Sequence, residues 1–290
     1  MKIYEIRSKI SNYLSIILFN KRLPISYCIF NFFFDKFITN KKNLDPTLQS
    51  FNKNGYVKLK VNFENEVDNI NENLLVKEEL INRIEYDLDY EFKLKIIKKL
   101  KIKLEENLNN LEKYYNSKIL IIGLNLWKNI KPKIISNDKE YFSEKFHCDG
   151  YISNHIKIHI NLMDIDQDSG PLQIVGKQSS KKFIRDFNYK DRKKYNYEGK
   201  NINDYIFLNT GKKGDAILFD STNCFHRATI PNDFRLMMQL VLFINPYPKI
   251  EQTYKLDIKD YLHFIKPIKI LNMISLFIDY LKNKNNLNSK

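Results

Sequence analysis

Beyond Lys118 the chain turns into a succession of short β-prone runs, and that succession constrains the fold more than any other feature. ILIIGLNLW (119–127), HIKIHINLMDI (155–165), PLQIV (171–175), YIFLN (205–209), DAILFD (215–220) and RLMMQLVLFI (235–244) are separated by Gly, Asp, Asn and Ser turns. Several short strands without helices between them pair as an antiparallel sandwich, not as the βαβ units of a parallel sheet. The expected class is a mainly β core with helices (α+β), an antiparallel sandwich or jelly roll flanked by N- and C-terminal helices.

The flanks read differently. Residues 1–45 alternate basic and aromatic-aliphatic clusters and are expected to be a helical extension. Residues 48–60, LQSFNKNGYVKLK, read as a helix end, a turn at Gly55 and a strand entering the main fold. Over 76–117, apolar residues at three- and four-residue intervals predict one long helix or two in succession. The basic, Tyr-rich segment 177–204 is long for a loop inside a compact fold and reads as a lid-like insertion. The main domain then spans 46–249, and 250–290 forms a C-terminal amphipathic helical segment.

The formal charge of +14 raises nucleic acid as a partner. Against it, Lys, Ile and Asn saturate the whole chain, Arg is scarce and the Lys are spread, which is the look of compositional drift and not of a local basic patch. Cys28, Cys148 and Cys224 form no CxxC pair and no even framework, which fits a reducing, cytoplasmic setting. No apolar run reaches the roughly 18–20 residues that span a bilayer. The start has a basic flank and a short apolar run but no small-residue cleavage site, so it reads as a helix.

The chemistry sits in FHCDGY (146–151) and in GDAILFDSTNCFHRA (214–228). His147 and Asp149 are two apart and point to one side of an extended backbone, and His226 follows a distant strand. Two imidazoles and one carboxylate are the face that binds non-haem Fe(II) and leaves the remaining positions open. Cys148 points the other way and reads as a small buried residue. Arg235, nine residues past His226, begins a strongly apolar strand. A buried guanidinium there would offer a permanent bidentate fork to a carboxylate, such as the distal end of 2-oxoglutarate; an edge-strand charge in solvent is the competing explanation.

In HIKIHINLMDI, Lys157, His159, Asn161 and Met163 share one face, with Ile158, Ile160 and Leu162 on the other. The polar set is expected to line the barrel interior, where Lys157 or Asn161 would bond 2-oxoglutarate carboxylates; a half-exposed sheet is the alternative. His159 reads as a pocket-lining or satisfied histidine, and His155 and His263 as surface. Met237 and Gln239 share the face of Arg235 and are expected to border a substrate pocket, with Leu236, Met238 and Leu240 in the core.

The order of these features resembles the phytanoyl-CoA dioxygenase family of Fe(II)/2-oxoglutarate-dependent oxygenases. The similarity covers roughly residues 48–247: His-x-Asp, a strand ending in Gly-Pro-Leu, GDAILFD, His-Arg and a downstream Arg. The family usually follows Gly-Pro-Leu with a Gly-Ser-His loop, whereas this chain reads GKQSS from Gly176. The resemblance implies a double-stranded β-helix (cupin-like jelly roll), with His147, Asp149 and His226 as iron ligands, Arg235 as the 2-oxoglutarate anchor and O2 as oxidant. Related halogenases lack the carboxylate, so the presence of Asp149 points to hydroxylation.

The implied substrate is a small molecule, a lipid, sugar or biosynthetic intermediate. An anionic one would suit the Lys and Arg of segment 177–204, although solvated charge is the commoner reason for such residues. Three other readings stay open: a non-catalytic jelly-roll binding protein, an oxygenase acting on nucleic acid, and a peripheral membrane enzyme using IKILNMISLFIDYLKNK (268–284) as an interfacial helix. The oligomeric state does not follow from the residues.

Overall fold

The computed structural model describes residues 44–134, 140–149, 155–190, 192 and 201–245, with positions 14, 39 and 41 besides. The helical readings of 1–45 and 250–290, and the surface reading of His263, lie outside these residues apart from those few positions. So does the side chain of His155.

Asp45 opens the first helix, α1 (Pro46–Asn54), by accepting a hydrogen bond from Leu48 N at 2.9 Å, with Pro46 preset for the first turn. Gly55 ends it in the left-handed region (φ 79°), donating its N–H to Phe51 O. A side chain there would also collide with Cys224, whose Sγ lies 2.3 Å from the position of an added Cβ. Strand β1 (Tyr56–Leu59) follows, as expected for 48–60. Next come α2 (Glu64–Asn71), β2 (Leu75–Leu80), β3 (Arg83–Asp87), α3 (Tyr90–Lys103) and α4 (Glu105–Tyr115).

The pair β2–β3 corrects the helical reading of 76–117, whose helices begin only at Tyr90. The two strands pair antiparallel and β3 adds to β4 (Lys118–Ile130). Arg83, Glu85 and Asp87 alternate with Ile84, Tyr86 and Leu88, a period of two that spacing at three and four also fits. The pairing edge of β4, invisible to local pattern, decides in favour of strand. Asp89 then caps α3, accepting from Glu91 N at 3.0 Å and Phe92 N at 3.3 Å.

The remaining strands are β5 (His155–Asn161), β6 (Leu172–Val175), β7 (Ile206–Asn209), β8 (Ala216–Asp220), β9 (Phe225–Ala228) and β10 (Phe234–Asn245). They build two antiparallel sheets, a seven-stranded one in the order β1-β8-β5-β10-β4-β3-β2 and a three-stranded one in the order β7-β6-β9. His147 bridges to His226 and extends the smaller sheet beyond β9. This is the jelly roll expected from the strand runs.

The outer face of the large sheet carries Ile156, Ile158 and Ile160 of β5 and Met238, Leu240 and Leu242 of β10. They pack in one core with Phe51, Phe63, Ile97, Leu100 and Leu111 of the helical layer. Fully burying one such side chain contributes about 1.5–3 kcal/mol. The inner face is therefore free to be polar, and the small sheet covers it. Leu172 and Ile174 meet Ile217, Phe219 and Cys224 across the gap. A bulge between Val241 and Leu242 breaks the β10–β4 register beside that cavity.

The segment read as a lid over 177–204 starts instead as helix α5 (Lys177–Asp186). Its Phe183 is fully buried with Phe146, Phe187, Tyr189 and Phe225, which anchors the helix to the strand bearing His226. Spacing of apolar residues in that segment was masked by its dense charge. Among the described residues no helix is long and apolar enough to cross a membrane.

Candidate metal centre and cavity

His147 and His226 face each other as a hydrogen-bonded antiparallel pair, His147 N donating to His226 O at 3.1 Å and His226 N to His147 O at 2.9 Å. Directly opposed residues share a face, and the two rings lie 4.4 Å apart, centroid to centroid. Asp149, two residues on, is held by its N–H bonded to Ser221 O at 2.9 Å. Its carboxylate oxygens lie 3.9 Å from His147 Nε2 and 3.8 Å from His226 Nε2. One ligand atom from each residue falls within 4.8 Å of the others, so the fold brings the three candidates together.

The protonation pattern suits a cation. His147 Nδ1 lies 2.8 Å from Lys145 O and His226 Nδ1 lies 3.0 Å from Cys224 O. A carbonyl can only accept, so each Nδ1 carries the proton and each Nε2 presents a lone pair to the centre. Burial drives His226 down to about 3, against the opposing pull of Asp149, and burial followed by the charge of Arg192 lowers His147. Burial pushes the Asp149 carboxyl up, yet Lys157 and His226 outweigh it and hold it below the ordinary carboxylate range. Two neutral imidazoles and an ionised carboxylate are the deprotonated donor set a divalent metal requires.

Lys157 Nζ forms an ion pair with Asp149 Oδ2 at 2.6 Å. His159, two residues along β5, bonds Gln239 Oε1 through Nε2 at 2.8 Å and packs edge-on against Phe219 and Trp127. Burial, then the charge of Lys157, drives His159 to about 3, so it is a neutral wall residue. Its Nδ1 is buried without a partner.

The three ligand candidates open into a cavity of about 790 Å3 between the sheets, lined also by Lys157, His159, Arg235 and Gln239. Asn161 and Met237 share the inner face with these residues but do not line the cavity. Asn161 is engaged at the 212–215 turn, donating Nδ2 to Lys212 O at 3.4 Å, and Met237 packs with Trp127 and Ile165. Strand alternation alone does not say where along a face the cavity ends.

Arg235 is 3% exposed, which disposes of a solvent-facing edge charge. Its guanidinium donates to Gly170 O, and no carboxylate among the described residues lies within 4.0 Å of it. Burial, then the nearby charge of Arg83, lowers it to about 10, still fully charged at neutral pH. A buried cation with no anion beside it is poised to receive one from a ligand.

Arg83, Trp127 and Asn129 also line the cavity and were missed in the sequence. Asn125, Trp127 and Asn129 alternate with Leu124, Leu126 and Lys128, a signal that one face of β4 looks into a polar space. Arg83 carried no such signal while its segment read as helix.

No protein-family model matches the chain, and no curated protein matches it. Among solved structures it is similar to HygX from Streptomyces hygroscopicus, solved with nickel and 2-oxoglutarate bound, at 14% identity and a TM-score of 0.46, over 68% of this chain and 85% of that one. It is similar to EctD from S. alaskensis with bound Fe, at 13% identity and a TM-score of 0.45, over 76% of this chain and 83% of that one. It is also similar to SnoN, a non-heme alpha ketoglutarate dependent epimerase from nogalamycin biosynthesis, at 12% identity and a TM-score of 0.42, over 69% and 80%. These are similarities of the chain, and the roles of its residues rest on the geometry above.

Proposed function

We propose that the chain is a non-haem Fe(II)- and 2-oxoglutarate-dependent oxygenase of the hydroxylase type, acting on a small molecule. The observation that carries the reading is the convergence of His147, Asp149 and His226, with both Nε2 lone pairs freed by backbone carbonyls, in one cavity with Arg235, which has no carboxylate partner among the described residues.

The residues fit the metal. His147, Asp149 and His226 would hold it by one face, leaving positions for a chelating keto acid and O2. The bound iron supplies O2 activation coupled to oxidative decarboxylation of 2-oxoglutarate to succinate and CO2. The chain's own residues do the rest. Arg235 binds the distal carboxylate of 2-oxoglutarate and so fixes its reach toward the metal. Lys157 neutralises Asp149 and stands beside the keto acid end. His159, held neutral by burial and by the charge of Lys157 and fixed in place by its bond to Gln239, offers a dry wall that carries no charge toward the metal. Phe219 flanks both His226 and His159, at 5.2 Å and 5.0 Å, and excludes water from the metal side. The presence of Asp149 supports hydroxylation over halogenation, because the third ligand position is taken by the protein.

The test is succinate formation from 2-oxoglutarate in the presence of Fe(II) and O2. Slow uncoupled turnover is expected from the native protein and none from His226→Ala. Equal turnover by both proteins would overturn the assignment.

A further inference from the structure

The cavity as a whole holds more positive charge than the proposed cofactors can neutralise, and two of its cations, Arg83 and Arg235, stand on the β3–β4–β10 wall. Arg83 pairs with Asn129 across β3–β4, and Asn129 with Arg235 across β4–β10, so the three residues form one row on the inner face. Adjacent strands lie about 4.8 Å apart, so each side chain in the row is within reach of the next. Asn129 is wholly buried, with neither Oδ1 nor Nδ2 partnered. The Arg83 guanidinium lies over the Trp127 ring at 4.8 Å, and its Nε is buried without a hydrogen bond. Its ion-pair partner, Glu85, is 3.6 Å away, too far for one.

Five cationic side chains line the cavity: Lys77, Arg83, Lys93, Lys157 and Arg235. Three carboxylates do so, Glu85, Asp87 and Asp149. Lys157 lies 2.6 Å from Asp149, and Lys93 lies 2.6 Å from Asp87. A divalent metal and doubly charged 2-oxoglutarate cancel each other, so the loaded cavity keeps a surplus of two positive charges. Lys77 is exposed and solvated, whereas Arg83 is held against Trp127.

We propose that Arg83 and Asn129 form an oxyanion site for the substrate, and that the substrate is a small molecule bearing a carboxylate or a phosphate. This rests on the oxygenase reading above. The Arg83 fork binds two oxygens, Asn129 Nδ2 donates to one of them in a carboxylate or to a third in a phosphate, and Trp127 gives the body of the substrate a flat surface beside the metal.

Trp127 is the single tryptophan of the chain and reports on this site. The experiment loads the protein anaerobically with Ni(II) and saturating 2-oxoglutarate at fixed ionic strength. Inorganic phosphate and acetate are then titrated separately while Trp127 fluorescence is followed. The expected result is saturable binding of one of the two, which also says which oxyanion the site prefers. Arg83→Met and Asn129→Leu should each weaken that binding at least tenfold, Arg83→Lys should restore part of it, and exposed Lys58→Met should change nothing. All variants should keep native circular dichroism and 2-oxoglutarate affinity. Displacement of 2-oxoglutarate by the probe would assign the row to the co-substrate and overturn the proposal. So would an Arg83→Met titration matching the native protein. If 2-oxoglutarate itself fails to bind the loaded protein, the oxygenase reading falls separately, and the same titration without it still decides Arg83.

Discussion

Replacing Arg235 with Met is predicted to stabilise the unloaded protein while destroying its affinity for 2-oxoglutarate. The guanidinium is lowered from 12.5 to about 10, first by burial and then by Arg83. A base with a depressed folded-state pKa is penalised in its charged form, and that penalty is fully present below about 10 and relieved as pH rises through it. At pH 7 the cost is about 3 kcal/mol, from about 1.4 kcal/mol for each unit. Methionine keeps the apolar stem but loses the bond to Gly170 O, worth about 1 kcal/mol. The net gain is then about 1–2 kcal/mol in urea unfolding at pH 7. Affinity moves the other way. Losing a charge-assisted bidentate contact in a dry site costs about 3 kcal/mol, or on the order of a hundredfold in Kd by calorimetry with Ni(II)-loaded protein. A variant destabilised by more than about 2 kcal/mol that binds 2-oxoglutarate normally would refute the reasoning, because Arg235 would then be a structural residue.

Acid should unfold the protein through its buried neutral imidazoles. His159 binds its proton near 6.5 when unfolded but only near 3 when folded, so its contribution is complete above 6.5 and is lost as pH falls below it. Between pH 7 and 5 the loss is about 2 kcal/mol, and His159→Asn should flatten the stability profile by about that much in denaturant melts. Ile160→Ala, at a fully buried position of the helix-facing core, should cost about 3–4 kcal/mol with little effect on metal affinity. Gly55→Ala should cost about 2–4 kcal/mol in the same melts, combining the left-handed φ of 79° with the collision against Cys224.

The strands were legible because they depend on local signals, and the candidate ligands were legible as residue types whose convergence only the fold could bring about. Runs of β-prone residues between turns gave the sheets. The hairpin of β2 and β3 was not legible, since its alternation coincides with helical spacing and only the free edge of β4 resolves it. Arg83 was lost with it. The burial of Phe183 in α5 was hidden by surrounding lysines, and Asn161 and Met237 were placed on the correct face without any means of seeing where the cavity stops. Local pattern fixes which way a side chain points; the boundaries of a cavity come from the second sheet, which is distant in sequence.

The most direct measurement is an anaerobic Fe(II) titration with and without 2-oxoglutarate, following the weak visible charge-transfer band of the iron–keto acid chelate. The band should appear only when both are present, vanish in His226→Ala and require far more 2-oxoglutarate in Arg235→Met. Absence of the band in the native protein at saturating metal and 2-oxoglutarate would contradict the oxygenase reading and leave the jelly roll as a binding protein.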